Sequence, residues 1–131
     1  MFEKLQKLLK NSYSPYSNFK VAAIIKTKNG KEYKGVNIES AAFSNTICAE
    51  RNAIFNAITE GVMWGDIREI HLLSKANNNS NEFTTPCGSC RQIINESSNN
   101  KAIVYIYNSK KEIKKFTINQ LLPYSFKSKD F

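Results

Sequence analysis

The sequence predicts an α/β fold: one domain over residues 1–131, with a mixed sheet of about five strands between helices in an α/β/α layering. Three observations predict it. Apolar stretches with helical spacing alternate with short β-branched and aromatic runs. No repeat, linker or composition break divides the chain. Its length suits one hydrophobic core, burying roughly two thirds of the surface that an unfolded chain exposes.

Phe2, Leu5, Leu8 and Leu9 recur at helical spacing among lysines, so Met1 to Lys10 reads as an amphipathic first helix. After the Ser14-Pro15-Tyr16-Ser17 turn, Phe19 to Lys28 and Glu32 to Ile38 flank Asn29-Gly30, a dipeptide suited to a tight hairpin turn. Ser44, Asn45 and Thr46 offer capping groups before an Ala49, Ala53, Ala57, Ile58 stripe that Gly61 ends. Ile67 to Leu73 reads as a strand and the Asn-rich Ser74 to Thr85 as a surface loop. Pro86 opens a further helix carrying Cys87, Cys90, Ile93 and Ile94. Ala102 to Tyr107 and Glu112 to Phe116 read as strands. Thr117 to Gln120 has capping-box spacing before Leu121-Leu122, and Pro123 stops that helix.

Composition narrows the function. The formal charge is +8, but the lysines are scattered over the first helix, the hairpin and residues 110–115, and there are only three arginines. A solvated lysine surface fits this better than a nucleic-acid groove. The longest clean apolar run is Val21 to Ile25, too short for a membrane span or a secretory signal. The expected location is cytoplasmic, where thiols stay reduced.

All three cysteines lie in two motifs, Cys48-Ala49-Glu50-Arg51 and Pro86-Cys87-Gly88-Ser89-Cys90. Each motif is expected to open a helix, where exposed amides and the helix dipole stabilise a thiolate. Three thiolates plus a carboxylate match a catalytic zinc site, which leaves its fourth position open, better than a structural site closed by four ligands. Glu50 is the candidate acid/base. Three thiolates give the site a net negative charge, and Arg51 is placed to hydrogen-bond their sulfurs and restore acidity to the metal. His71, the only histidine, reads as a strand residue rather than a ligand. A non-enzymatic zinc-stabilised binding module would also account for the cysteines. Zinc fingers, however, usually keep their first cysteines two to four residues apart, and Cys48 stands alone.

These residues resemble the cytidine deaminase family, in its small, usually homotetrameric, three-cysteine branch. The likeness runs through Ser14 to Val21, Gly35-Val36-Asn37-Ile38-Glu39, Cys48 to Arg51, Pro86 to Gln92 and Leu121-Leu122-Pro123, nearly the whole chain. It implies one Zn²⁺ per subunit, water attack at C4 of cytosine with Glu50 shuttling protons, and conversion of cytidine and deoxycytidine to uridine and deoxyuridine plus ammonia, in pyrimidine salvage. It further implies that Asn37 and Glu39 bind the ribose 3′-hydroxyl, that Phe19 stacks on the base, and that the backbone at Ala49 reads the pyrimidine edge. Neighbouring subunits would share their sites through Ala41, Phe43 and the C-terminal Phe126. A carboxylate at the ribose, expected to be buried, favours free nucleosides over nucleotides. The chain departs from the family pattern in Phe43, where tyrosine is common, and in Ala22, where glycine is usual. A related substrate, either a blasticidin-type nucleoside or a cytosine in nucleic acid, is the alternative within the same chemistry.

Overall fold

Phe2, Leu5 and Leu9 are buried along one side of helix α1 (Phe2–Leu9), where they pack on Ala22, Ile24, Leu73 and Tyr107 of the sheet. The structure is a computed structural model describing residues 1–76 and 83–130. Strands β1 (Lys20–Thr27) and β2 (Glu32–Val36) form the expected hairpin, antiparallel with Ala22 opposite Val36, and Gly30 supplies the positive φ of +80° at the turn. Helix α2 (Ala49–Thr59) follows, and Gly61, at φ +98°, comes just after its end. Strand β3 (Ile67–Lys75) returns antiparallel to β1, with Ile24 opposite His71.

Helix α3 (Gly88–Ser97) is the crossover to β4 (Ile103–Tyr107), which runs parallel to β3, and β5 (Ile113–Thr117) closes the sheet antiparallel to β4. The sheet order is β2-β1-β3-β4-β5, mixed and five-stranded as expected. Helix α4 (Ile118–Leu121) starts with the expected capping box between Thr117 and Gln120.

Strand alternation divides the sheet into two packed faces. Ala23, Ile25, Ile70, Leu72, Val104 and Ile106 face α2 and α3 in the larger core, whereas Ala22, Ile24, Leu73 and Tyr107 face α1. The result is the α/β/α layering that the sequence predicts. Among the described residues, no helix is long and apolar enough to cross a membrane.

Three expectations need correction. Pro86 stands before α3 rather than opening it, since Cys87 is the N-cap. Ser44, Asn45 and Thr46 do not cap α2. Residues Phe43–Asn45 form a single 3₁₀ turn, Ile47 then pairs with Ile38 in an isolated antiparallel bridge, and Cys48 itself is the N-cap. The bridge keeps the chain extended up to the cysteine, which overrides the better capping chemistry upstream. Ser74 and Lys75 belong to β3 rather than to the loop, because Lys20 and Val21 of β1 extend far enough to pair with them. Residues 77–82 of the expected loop lie outside the described residues.

His71 is buried on the α1 face, with Nδ1 2.9 Å from the Tyr107 hydroxyl and its ring stacked on Tyr105 at 4.6 Å. It belongs to packing on the face away from α2 and α3, and so is no ligand for the cysteines.

Candidate active site

Both cysteine motifs open helices on the same face of the sheet. Cys48 and Cys87 are the N-caps of α2 and α3, in extended backbone, and neither side chain bonds its helix's free amides. That leaves both sulfurs available for other partners. Cys90 sits in the first turn of α3, where the spacing of three returns its sulfur to the side of Cys87. The three Sγ atoms all lie within 4.8 Å of one another, with Cys48 and Cys87 3.8 Å apart. A tetrahedral zinc with thiolates at ~2.3 Å places its sulfurs ~3.8 Å apart, so the donor set fits the metal in both chemistry and spacing. Cys90 is buried, Cys48 half-buried and Cys87 exposed, so the cluster opens towards solvent at Cys87.

Protons are unevenly held here. The Cys48 thiol is pushed down to about 5, first by its hydrogen bond with Cys90 and then by Arg51, whose Nη2 lies 3.5 Å from the Cys48 sulfur. Cys90 is pushed up by the same pairing and by burial. Arg51 is raised in turn by its bond to Cys48, and so remains a fixed cation. Its buried Nε has no hydrogen-bond partner, so the contact of this guanidinium with the cluster is through its outer nitrogen.

Glu50 is 5% exposed, one position into α2 beyond the buried Ala49, and its carboxylate is not part of the sulfur cluster. Burial, followed by the nearby Cys48 charge, raises its pKa to about 7. A carboxyl with that proton affinity can both take up and release a proton near neutrality.

The second part of the site is held by loops. Tyr13 bridges Ile38 on one side and Ile47 bridges it on the other, so the 37–39 segment is strapped beside the start of α2. Asn37 is buried. Its Oδ1 accepts from Ser12 Oγ and from the Val21 amide at 2.8 Å, and its Nδ2 donates to the Phe19 carbonyl at 2.7 Å. These bonds fix the orientation of the amide and leave one Nδ2 hydrogen uncommitted.

Glu39 is not the buried carboxylate expected from the sequence; it is half-buried. The Ser14–Ser17 turn holds it instead. Oε1 accepts the Tyr16 and Ser17 amides at 2.9 and 3.1 Å, Oε2 accepts the Ser17 hydroxyl, and the Ser17 bond leads in lowering its pKa.

Phe19 is half-buried and Ala49 fully buried, whereas Ala41 is exposed, Phe43 is 75% exposed and Phe126 is 55% exposed. Phe43 meets the ring of Tyr16 edge-on at 6.0 Å. The structure therefore gathers Cys48, Cys87 and Cys90 into one cluster, sets Arg51 and the buried Glu50 beside it, and orders Phe19, Asn37 and Glu39 around the hairpin. Ala41, Phe43 and Phe126 stand on the surface. The sequence reading assigns no role to Ser12 or Ser17, although Ser17 lies within the Ser14 to Val21 likeness. The local signal was three hydroxyls at 12, 14 and 17, with the Asn37 and Glu39 pair downstream.

Known proteins resemble this chain in sequence and in fold. Residues 1–106 match the family model described as the cytidine and deoxycytidylate deaminase zinc-binding region. The chain is 38% identical over 127 residues to a cytidine deaminase of Mycoplasma genitalium, covering 97% of this chain and 93% of the relative. It is also 38% identical over 125 residues to a cytidine deaminase of Sporosarcina psychrophila, covering 95% and 88%. Among solved structures, the cytidine deaminase of Burkholderia pseudomallei superposes with a TM-score of 0.86 at 32% identity, covering 95% of this chain and 94% of that one.

Proposed function

The chain belongs to the cytidine and deoxycytidylate deaminase zinc-binding family, and we propose that it hydrolyses cytidine and deoxycytidine to uridine and deoxyuridine with release of ammonia. One observation carries this reading: three thiols spaced for a single zinc lie beside a buried glutamate whose proton affinity is tuned to neutrality.

Cys48, Cys87 and Cys90 would hold one Zn²⁺ per subunit. When bound, the metal supplies a polarised water of lowered pKa as the nucleophile for C4 of the cytosine ring. Glu50 takes a proton from that water and delivers it to ring N3. The same carboxylate then carries the water's second proton to the exocyclic amine. The C4–N bond breaks, ammonia departs and a C4 carbonyl remains, so that one water is consumed for each ammonia released. Arg51 withdraws electron density from Cys48 and so offsets the charge of three thiolates.

Substrate recognition follows from groups already oriented. The free Nδ2 hydrogen of Asn37 can donate to a ribose hydroxyl oxygen, and Glu39, held ionised by the Ser17 turn, can accept the 3′-hydroxyl proton. A phosphate esterified at the 3′-hydroxyl would bring like charge against Glu39, so substrates with a free 3′-hydroxyl are the favoured class. Phe19 stacks on the base and the Ala49 backbone reads its edge.

The exposure of Ala41, Phe43 and Phe126 supports a homotetramer in which neighbouring subunits complete one another's sites. Residues 1–131 serve as one catalytic domain. A reduced cytoplasm, with a role in pyrimidine salvage, suits three thiols committed to metal.

A spectrophotometric assay tests the reading. Cytidine absorbance should convert to that of uridine, stop when zinc is removed and return when zinc is restored. Absence of turnover by zinc-loaded protein overturns it. Parallel assays on blasticidin and a cytosine-bearing oligonucleotide separate the alternative substrates.

A further inference from the structure

We propose that Arg91 and Gln92, the two residues following the last cysteine, are positioning residues that fasten the metal loop and the C-terminal segment to α3 as one unit. The reading of Phe126 as a contributor to a neighbouring site is the part of the proposed function on which the catalytic consequence rests.

Arg91 uses three nitrogens in three directions. Nε donates to the Pro86 carbonyl, Nη2 to the Thr85 hydroxyl and Nη1 to the Leu121 carbonyl, each at 2.8 Å. The Pro86 carbonyl is bonded to the peptide that begins Cys87, so fixing it fixes where that exposed cysteine leaves the loop. Leu121 is the last residue of α4, and its carbonyl is among those that a helix leaves without an internal partner. A guanidinium is suited to this arrangement because its donors form a rigid planar fork, whereas a lysine offers a single point of charge.

Gln92 takes hold of the other end. Its Nε2 donates to the Phe126 carbonyl at 2.9 Å. Two successive side chains of the zinc helix thus grip the main chain at 121 and at 126. Every residue from Leu121 to Lys127 is half-buried or exposed, and Tyr124 adopts a positive φ of 52° with its side chain fully in solvent. A segment that buries no side chain completely depends on main-chain anchors for its path.

The experiment pairs amide exchange with zinc release and kinetics in the zinc-loaded protein. Gln92→Leu should accelerate amide exchange at residues 122–130 and raise KM for cytidine about fivefold, the scale of one lost hydrogen bond, with zinc content and kcat unchanged. In a Phe126→Ala background the same substitution should still accelerate exchange but add nothing further to KM. Arg91→Lys should lose zinc to a chelator roughly 10–100-fold faster than the parent, as expected when a group that orients ligands is removed. Unchanged exchange in Gln92→Leu, or parental zinc release in Arg91→Lys, overturns the proposal. A parental KM for Phe126→Ala defeats only the assignment of Phe126 to substrate, and amide exchange then still decides whether the anchor exists.

Discussion

Gly35 of β2 lies so close to Ala49 at the start of α2 that a Cβ on Gly35 would stand 2.4 Å from the Ala49 carbonyl oxygen. It would lie equally close, at 2.4 Å, to the amide nitrogen of Ala53. Both obstacles are main chain, which cannot swing aside as a side chain would. The glycine is needed here for close approach, which seats the helix bearing Cys48 and Glu50 directly on the sheet.

Gly35→Ala should therefore push α2 outward. A loss of about 1–3 kcal/mol in stability is expected, the usual range for overpacking, together with weaker zinc retention. Urea unfolding and zinc stoichiometry measure the two effects. Parental values for both would mean that the helix can shift without disturbing the thiols.

Glu50→Gln separates holding metal from moving protons. Because the carboxylate is outside the sulfur cluster, zinc content should stay at one per subunit. kcat should fall by about 10²–10⁴, the contribution of a positioned acid/base. Metal analysis alongside the cytidine assay checks it, and loss of zinc by this variant would make Glu50 a ligand.

Ser17→Ala removes the hydroxyl that binds Glu39 Oε2 and leaves the two amide bonds to Oε1 intact. The carboxylate should gain freedom rather than leave. KM for cytidine is expected to rise about tenfold with kcat nearly unchanged, given the strength of hydrogen bonds to charged groups. Initial-rate kinetics decide it, and a fall confined to kcat would place Ser17 in the chemistry instead of in ribose binding.

His71 should make the fold sensitive to mild acid. Burial lowers its pKa below the ordinary 6.5, with Lys26 acting in the same direction and Glu69 and Glu32 opposing. The unfolded chain therefore takes up the proton before the folded chain does. The contribution to stability is fully present above pH ~6.5 and is lost as pH falls through the folded value. The difference in urea midpoint between pH 7.5 and pH 5 should be smaller in His71→Gln than in the parent, and equal differences would remove His71 from the acid response.

What the sequence made legible was local. The first helix, the Asn29-Gly30 hairpin and the Thr117/Gln120 capping box each depend on neighbours within a few residues, and each formed as expected. The cysteine cluster was legible because zinc restricts ligand chemistry so strongly. What stayed hidden joins distant positions: Gly35 against Ala49, Ser17 against Glu39, Arg91 against Leu121. The start of α2 misled for the same reason, since the Ile38–Ile47 bridge outweighs the capping preference of Ser44, Asn45 and Thr46.

The two cysteines at the helix starts set folding and activity against each other. Serine at an N-cap can bond its own helix, an effect worth about 0.5–2 kcal/mol over a non-capping residue, and neither Cys48 nor Cys87 makes such a bond. In a thermal screen run without metal, Cys48→Ser or Cys87→Ser would rank as sturdier and be inert. With zinc present the order reverses, because metal that binds the folded chain stabilises it and loss of one of the three thiolates weakens that binding. Metal supply during selection therefore decides which of these sequences an evolving population keeps.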